Sequence, residues 1–182
     1  MDSIRTERLL LRPYVGADAP RVLEVLSHPD VYPWLGDPPQ HPMADLDAAR
    51  AWIARTNARE KRGEFDIFRA IEVRETGVVA GTVLVGPMNR KDGTFHGEHE
   101  IGWHLHPDSW GRGYATESAR AMLDHVFALG LSDIWCGMFV QNHASRAVAE
   151  RLGLPFLGIQ PDPWYEGDSP LFHVTAEEWA AS

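Results

Sequence analysis

The sequence predicts an α/β protein, in the broad sense that includes α+β, built as one domain over residues 1–182. Short apolar runs of strand type, bounded by turn residues, recur along the chain. Amphipathic helical segments lie between them. The third observation is a glycine-bracketed stretch, DSWGRGYATESA at 108–119, that passes directly into an apolar stripe of helical spacing.

Taken in order, ERLLLRPY reads as a first strand and ADAPRVLEVLSH as a helix carrying Val22, Leu23, Val25 and Leu26. HPDVYPWLGDPPQHP, residues 28 to 42, is too rich in proline for regular structure, and its Tyr32, Trp34 and Leu35 mark a packed functional loop. ADLDAARAWIARTNAREKRG has an acidic start and a basic end that suit a helix dipole. FDIFRAIEV, GVVAGTVLVGP and HEIGWHLH follow as three strands. After the glycines, Ala115, Ala119, Met122, Leu123, Val126 and Phe127 form one helical face, with Glu117, Arg120 and Asp124 opposite. DIWCGMFV is a further strand, and residues 144 to 153 form a short helix closed by Gly153. LPFLGIQ and SPLFHVTAEEW complete the sheet, joined by DPWYEGD. The order is βααβββαβαββ.

Composition bounds the function. The 182 residues are 44% hydrophobic and 24% charged, ordinary for a globular protein able to bury a core. No apolar run approaches a membrane span, and MDSIRTERLLLRPY lacks the apolar core of a signal peptide, so a cytoplasmic location without membrane attachment is expected. The lone Cys136 fits a reducing compartment, and its alternation with Ile134, Met138 and Val140 makes it a core residue. The net charge of −9 disfavours DNA and other nucleic acids as partners. A protein of that charge binds a polyphosphate through local donors. The glycine loop offers them: Gly111 and Gly113 let the backbone approach a ligand, and the first turn of the next helix presents free N–H groups and its positive dipole end, with Arg112 between. No Gly-Lys-Ser/Thr ending or dinucleotide fingerprint is present, and a glycine turn before an ordinary helix is the plainer alternative.

Glu100 begins a central strand and shares a face with Gly102, His104 and His106. A carboxylate there needs either a partner, as in a structural ion pair, or a chemical role such as that of a general base. His104 and Asp108 are the reserve candidates for the base. His104 and His106 share a strand face, but no cysteine or carboxylate spacing completes a metal site, so no metal is expected. Trp34 and Tyr165 lie in loops beside the expected cleft, placed either for packing or for substrate contact.

With these motifs on this element order, the chain resembles the GCN5-related N-acetyltransferase (GNAT) superfamily, in the branch of the ribosomal-protein N-terminal acetyltransferases. TERLLLRPYVGADA is similar to the opening strand and helix, EIGWHLHPDSWGRGYATESA to the acetyl-coenzyme A motif, and NHASRAVAERLGL to the segment after the fifth strand. The resemblance implies a central mixed, mostly antiparallel sheet of about six to seven strands with helices on both faces. It implies acetyl-coenzyme A as co-substrate, with backbone N–H groups of Gly111, Arg112, Gly113, Tyr114 and Ala115 on the pyrophosphate and Thr116 as a hydroxyl donor. Leu105 would pair its backbone with the pantetheine arm, and Trp110 stands where many relatives carry Gln or Arg. Glu100 corresponds to the general base of several relatives. Asn142, otherwise a plain helix cap, would contact the pantetheine, and Arg146 and Arg151 would supply cation near the phosphates. Ser145 would protonate the departing thiolate, because the tyrosine that many relatives carry four residues later is Ala149 here. The implied reaction is direct acetyl transfer to a primary amine, on a protein N-terminus or a small molecule, in a ternary complex. The alternative is a non-catalytic acyl-coenzyme A sensor. Relatives are often dimers, so a homodimer is an open expectation.

Overall fold

The computed structural model describes residues 3–36, 40–59 and 65–181. Among them are eight strands and five α-helices: β1 (Ile4–Arg5), β2 (Leu9–Arg12), α1 (Ala19–Ser27), α2 (Leu46–Arg59), β3 (Ile67–Val73), β4 (Val79–Asn89), β5 (Phe95–Leu105), α3 (Tyr114–Ala128), β6 (Asp133–Gly137), α4 (His143–Leu152), β7 (Phe156–Pro161), β8 (Asp168–Thr175) and α5 (Ala176–Ala180). The strands form one sheet in the order β1-β2-β3-β4-β5-β6-β8-β7, antiparallel throughout except for β5 beside β6.

The count exceeds the expected six to seven strands because β1, two residues long, hairpins onto β2 by pairing Ile4 with Leu11 and Arg5 with Leu10. Two residues are too few for an alternation to show in sequence. Three other boundaries differ from expectation. The DIWCGMFV strand stops at Gly137. SPLFHVTAEEW divides at Thr175, which caps α5 through a reciprocal pairing with Glu178. The proline-rich loop holds a 3-10 turn at Tyr32–Trp34, and its residues 37–39 lie outside the described residues, as does 60–63 of the second helix.

Period-two alternation divides the core between the two faces of the sheet. Leu11, Ile71, Val83 and Ile101 pack with Met122 and Leu123 of α3 and Val148 of α4. Tyr14 and Ala70, on the other face, pack with Val22 and Val25 of α1 and Ile53 of α2. The middle of the sheet is tight: a Cβ added at Gly81 would overlap the carbonyl oxygen of His104 and sit 2.6 Å from the Leu105 Cα. That close approach is open only to glycine.

Strand β5 meets β6 in parallel register at a single position, Glu100 opposite Trp135. Beyond it the two strands part.

Candidate active site

The parting of β5 and β6 opens a cleft of about 1090 Å³ lined from both faces of the sheet, with Glu100, Trp103 and Leu105 on one side and Gly137, Met138 and Phe139 on the other. The His106 N–H donates to Ala80 O on β4. Because backbone groups alternate sides along an antiparallel strand, Trp103 and Leu105 turn theirs toward the gap. The Leu105 carbonyl is already engaged, accepting from Trp110 Nε1 at 2.9 Å. The indole therefore closes the end of the strand, with Trp110 itself half-exposed.

The glycine loop sits at this end. Gly111 and Gly113 adopt φ of 70° and 78°, left-handed conformations that turn the chain into α3. Glu117 makes the first helical bond, to Gly113 O, and the N–H groups of Tyr114, Ala115 and Thr116 donate to no other described residue. Thr116 Oγ1 is buried there without a partner. Unpaired donors at a helix start, beside an open cleft, suit an anion.

The cation at the loop is one that the sequence pattern does not show. The exposed Arg112 side chain does not line the cleft, and its carbonyl accepts from Arg8 Nη1 at 2.9 Å. Arg8 stands over the Tyr114 ring at 5.2 Å and is fixed by Glu117, whose Oε2 lies 2.6 Å from Arg8 Nη2. Over a hundred positions separate the two residues, so only the acidic first turn of α3 hints at such a partner. Arg120 and Arg151 also line the cleft, whereas Arg146 does not; it pairs with Glu150 at 2.9 Å and lies over Phe156.

At the start of α4, Asn142 Oδ1 accepts from the Ser145 N–H at 3.1 Å. This cap holds Asn142 and Ser145 together on the cleft wall. Ala149 is fully buried in the core and does not reach the cleft.

Glu100 lies deeper. Its Oε1 accepts from the Tyr165 hydroxyl at 3.0 Å. Burial raises its carboxyl above the ordinary value, the Tyr165 bond opposes that rise, and Asp162 adds to it, with Arg59 opposing. Asp162, 3% exposed, spends Oδ1 on the N–H groups of Trp164 and Tyr165. Trp34 stands at the rim with its ring 6.2 Å from Phe139.

The structure gives the reserve candidates partners of their own, and only His104 of the two lines the cleft. His104 is half-buried, with Nε2 2.7 Å from Thr82 Oγ1, which in turn lies 2.7 Å from the Tyr14 hydroxyl. Burial lowers its pKa to about 4, so the ring is neutral. Asp108 does not line the cleft and is clamped by Arg21 at 2.7 and 2.8 Å. Cys136 lines the cleft, but burial and the nearby Glu100 push its thiol far up, away from nucleophilic use. His96, His99 and His106 have separate local partners, and among the described residues no three His, Cys, Asp or Glu converge on a metal position. No described helix is long and apolar enough to cross a membrane.

Known proteins share this fold. The chain is 29% identical over 170 residues to the uncharacterized N-acetyltransferase YoaA of Bacillus subtilis, covering 92% of this chain and 90% of that protein. Among solved structures, an acetyltransferase from Agrobacterium tumefaciens superposes with a TM-score of 0.73 at 30% identity, covering 96% of this chain and 94% of the other. RimJ of Mycobacterium smegmatis, in complex with a coenzyme A disulfide, superposes at 0.75 with 22% identity over 97% of this chain and 88% of its own. At that identity RimJ shows the shared fold. A family model described as an acetyltransferase (GNAT) domain matches residues 8–155, more than three quarters of the length, and the chain therefore belongs to the GNAT acetyltransferases.

Proposed function

We propose that this acetyltransferase takes its acetyl group from acetyl-coenzyme A and passes it directly to a primary amine while both are bound. The observation that carries the reading is Glu100: a carboxylate of raised proton affinity, facing a cleft where two sheet strands part, with a helix N-terminus at the far end. The free N–H groups of Tyr114, Ala115 and Thr116, with Thr116 Oγ1 and Arg8, would hold the diphosphate. The gap-facing backbone of Trp103 and the Leu105 N–H would pair with the pantetheine amides as a further strand would.

In the reaction the amine nitrogen attacks the thioester carbonyl carbon, the C–N bond forms and the C–S bond breaks. The surplus amine proton passes to Glu100, and the thiolate takes a proton from Ser145, which recovers it from solvent. A base whose proton affinity lies above that of an ordinary carboxylate is better matched to an ammonium group.

A sensor that binds the thioester without turnover is the second reading, favoured by the burial of Ala149 where relatives place an acid. Calorimetric titration with acetyl-coenzyme A, followed by a thiol-release assay over a panel of amines, separates the two. Thiol release that depends on added amine supports the proposal, and binding with silence across the panel overturns it.

A further inference from the structure

The acceptor end of the cleft differs in chemistry from the loop end. Its floor is made by one row of the sheet, where Phe68 pairs with Leu84 and Leu84 with Gly102. Gly102 leaves the floor open between Glu100 and His104, since a side chain there would press on Leu84 from 3.4 Å. Aromatic rings form the walls: Trp34 and Phe139 on one side, Trp52 against Phe68 on another, and Tyr165 over Glu100.

The charged groups at this end are carboxylates, beside the hydroxyls of Tyr165 and Ser169. Glu100, Asp162, Glu166 and Asp30 all line it, and His104 is neutral. Among the described residues, the arginines that line the cleft, Arg8, Arg120 and Arg151, lie on or against α3 and α4. Neither Glu100 nor Asp162 has an ion-pair partner among the described residues, and Arg59, the cation that acts on Glu100 from a distance, is itself paired with Asp66 at 2.8 Å. The Oδ2 atom of Asp162 accepts no hydrogen bond there, and it lies 3.6 Å from the place a Gly137 side chain would fill. Glycine at 137 therefore leaves that carboxylate oxygen open to the cleft. A buried carboxylate without a cation is costly unless a ligand supplies one.

We propose that this chamber selects a small primary amine with an aromatic body and no carboxylate, the ammonium group received by Asp162 beside Glu100 and the body laid against the wall that Trp34 and Phe139 form together. The inference rests on the acetyl-transfer reading above and names its substrate class. An ammonium gains from the two carboxylates and from the ring faces. A free α-carboxylate would be placed among like charges with no lining cation to receive it. Polyamines satisfy the charges but leave the aromatic walls without an apolar partner.

The test is steady-state acetylation of phenethylamine and tryptamine, compared with phenylalanine, tryptophan, spermidine and a peptide with an N-terminal alanine. We expect the two arylalkylamines to exceed spermidine and the peptide at least tenfold in kcat/KM, and their parent amino acids at least a hundredfold. Asp162→Asn, which keeps an oxygen for the Trp164 and Tyr165 N–H groups, should raise KM for phenethylamine about tenfold. Trp34→Ala should do the same while acetyl-coenzyme A affinity is unchanged. Preference for the peptide, spermidine or an amino acid overturns this inference and leaves acetyl transfer standing. Silence with every amine, with acetyl-coenzyme A still bound, overturns both. An unchanged KM in both variants also overturns the assignment of these walls.

Discussion

The Tyr165 hydroxyl donates to Glu100 Oε1 at 3.0 Å, joining a loop residue and a strand residue 65 positions apart in the chain. In sequence one reads as a candidate base and the other as a candidate substrate contact, each on separate grounds. The bond stabilises the charged carboxylate while burial opposes it, so Tyr165 sets how strongly Glu100 holds a proton.

Replacing Glu100 by Gln should lower kcat by about 10²–10⁴-fold, the usual worth of a positioned base. It should also raise the melting temperature. A carboxyl whose pKa is raised by folding costs stability as pH passes above its unfolded value near 4.5, because the native state must then ionise it in a buried site. The amide carries no such cost. Activity lost together with stability gained, seen by assay and thermal melting at pH 7, is the expected pair of results.

The pH dependence of turnover follows from the same carboxyl. Activity should rise with pH through a midpoint above 4.5, as Glu100 deprotonates. Tyr165→Phe removes the donor that favours the charged form, so that midpoint should move further up. Rate profiles of the two proteins between pH 5 and pH 9 check the direction.

His104 governs acid stability. Its folded ring is neutral with a pKa of about 4, while the unfolded chain binds its proton near 6.5. Between those values the unfolded state holds more protons, so stability falls as pH drops from about 6.5 to about 4, by roughly 3 kcal/mol. In His104→Gln, which can still bond Thr82, denaturant melts at pH 7 and pH 5 should differ less than in the wild type.

Gly81→Ala should cost about 1–3 kcal/mol or more, because its Cβ would meet backbone atoms of β5 that cannot swing aside. A chemical denaturation midpoint measures the loss.

Several of these features are legible in the sequence. The stripe from Ala115 to Phe127 marks α3, which runs Tyr114–Ala128, and the glycines before it mark its left-handed start. Alternation along β5 places Glu100 on the face with Gly102 and His104, opposite the core face of Ile101 and Leu105. What stays hidden depends on distant partners. Nothing near Arg8 says that it lies against the loop at 112, because its position is set by Glu117 on another element. Conversely, Arg112 sits between two glycines in sequence yet turns its side chain to solvent and only its carbonyl inward. Asp162 reads as one of several loop acids, and its buried carboxylate becomes notable only because the neighbouring Gly137 carries no side chain to cover it. The early end of β6 at Gly137 has the same origin: the strand loses β5 as a neighbour where the cleft opens.

The most direct measurement is a calorimetric titration of the wild type and Gly113→Val with acetyl-coenzyme A. Gly113 has a φ of 78°, and a side chain there would be strained as well as 3.4 Å from Arg8 Nη2, disturbing the turn that aims the free amides. If those amides hold the diphosphate, the wild type binds saturably and the variant binds at least tenfold more weakly, while still folded by circular dichroism. Equal affinity in the two proteins, or no binding by the wild type, would contradict that role for the loop.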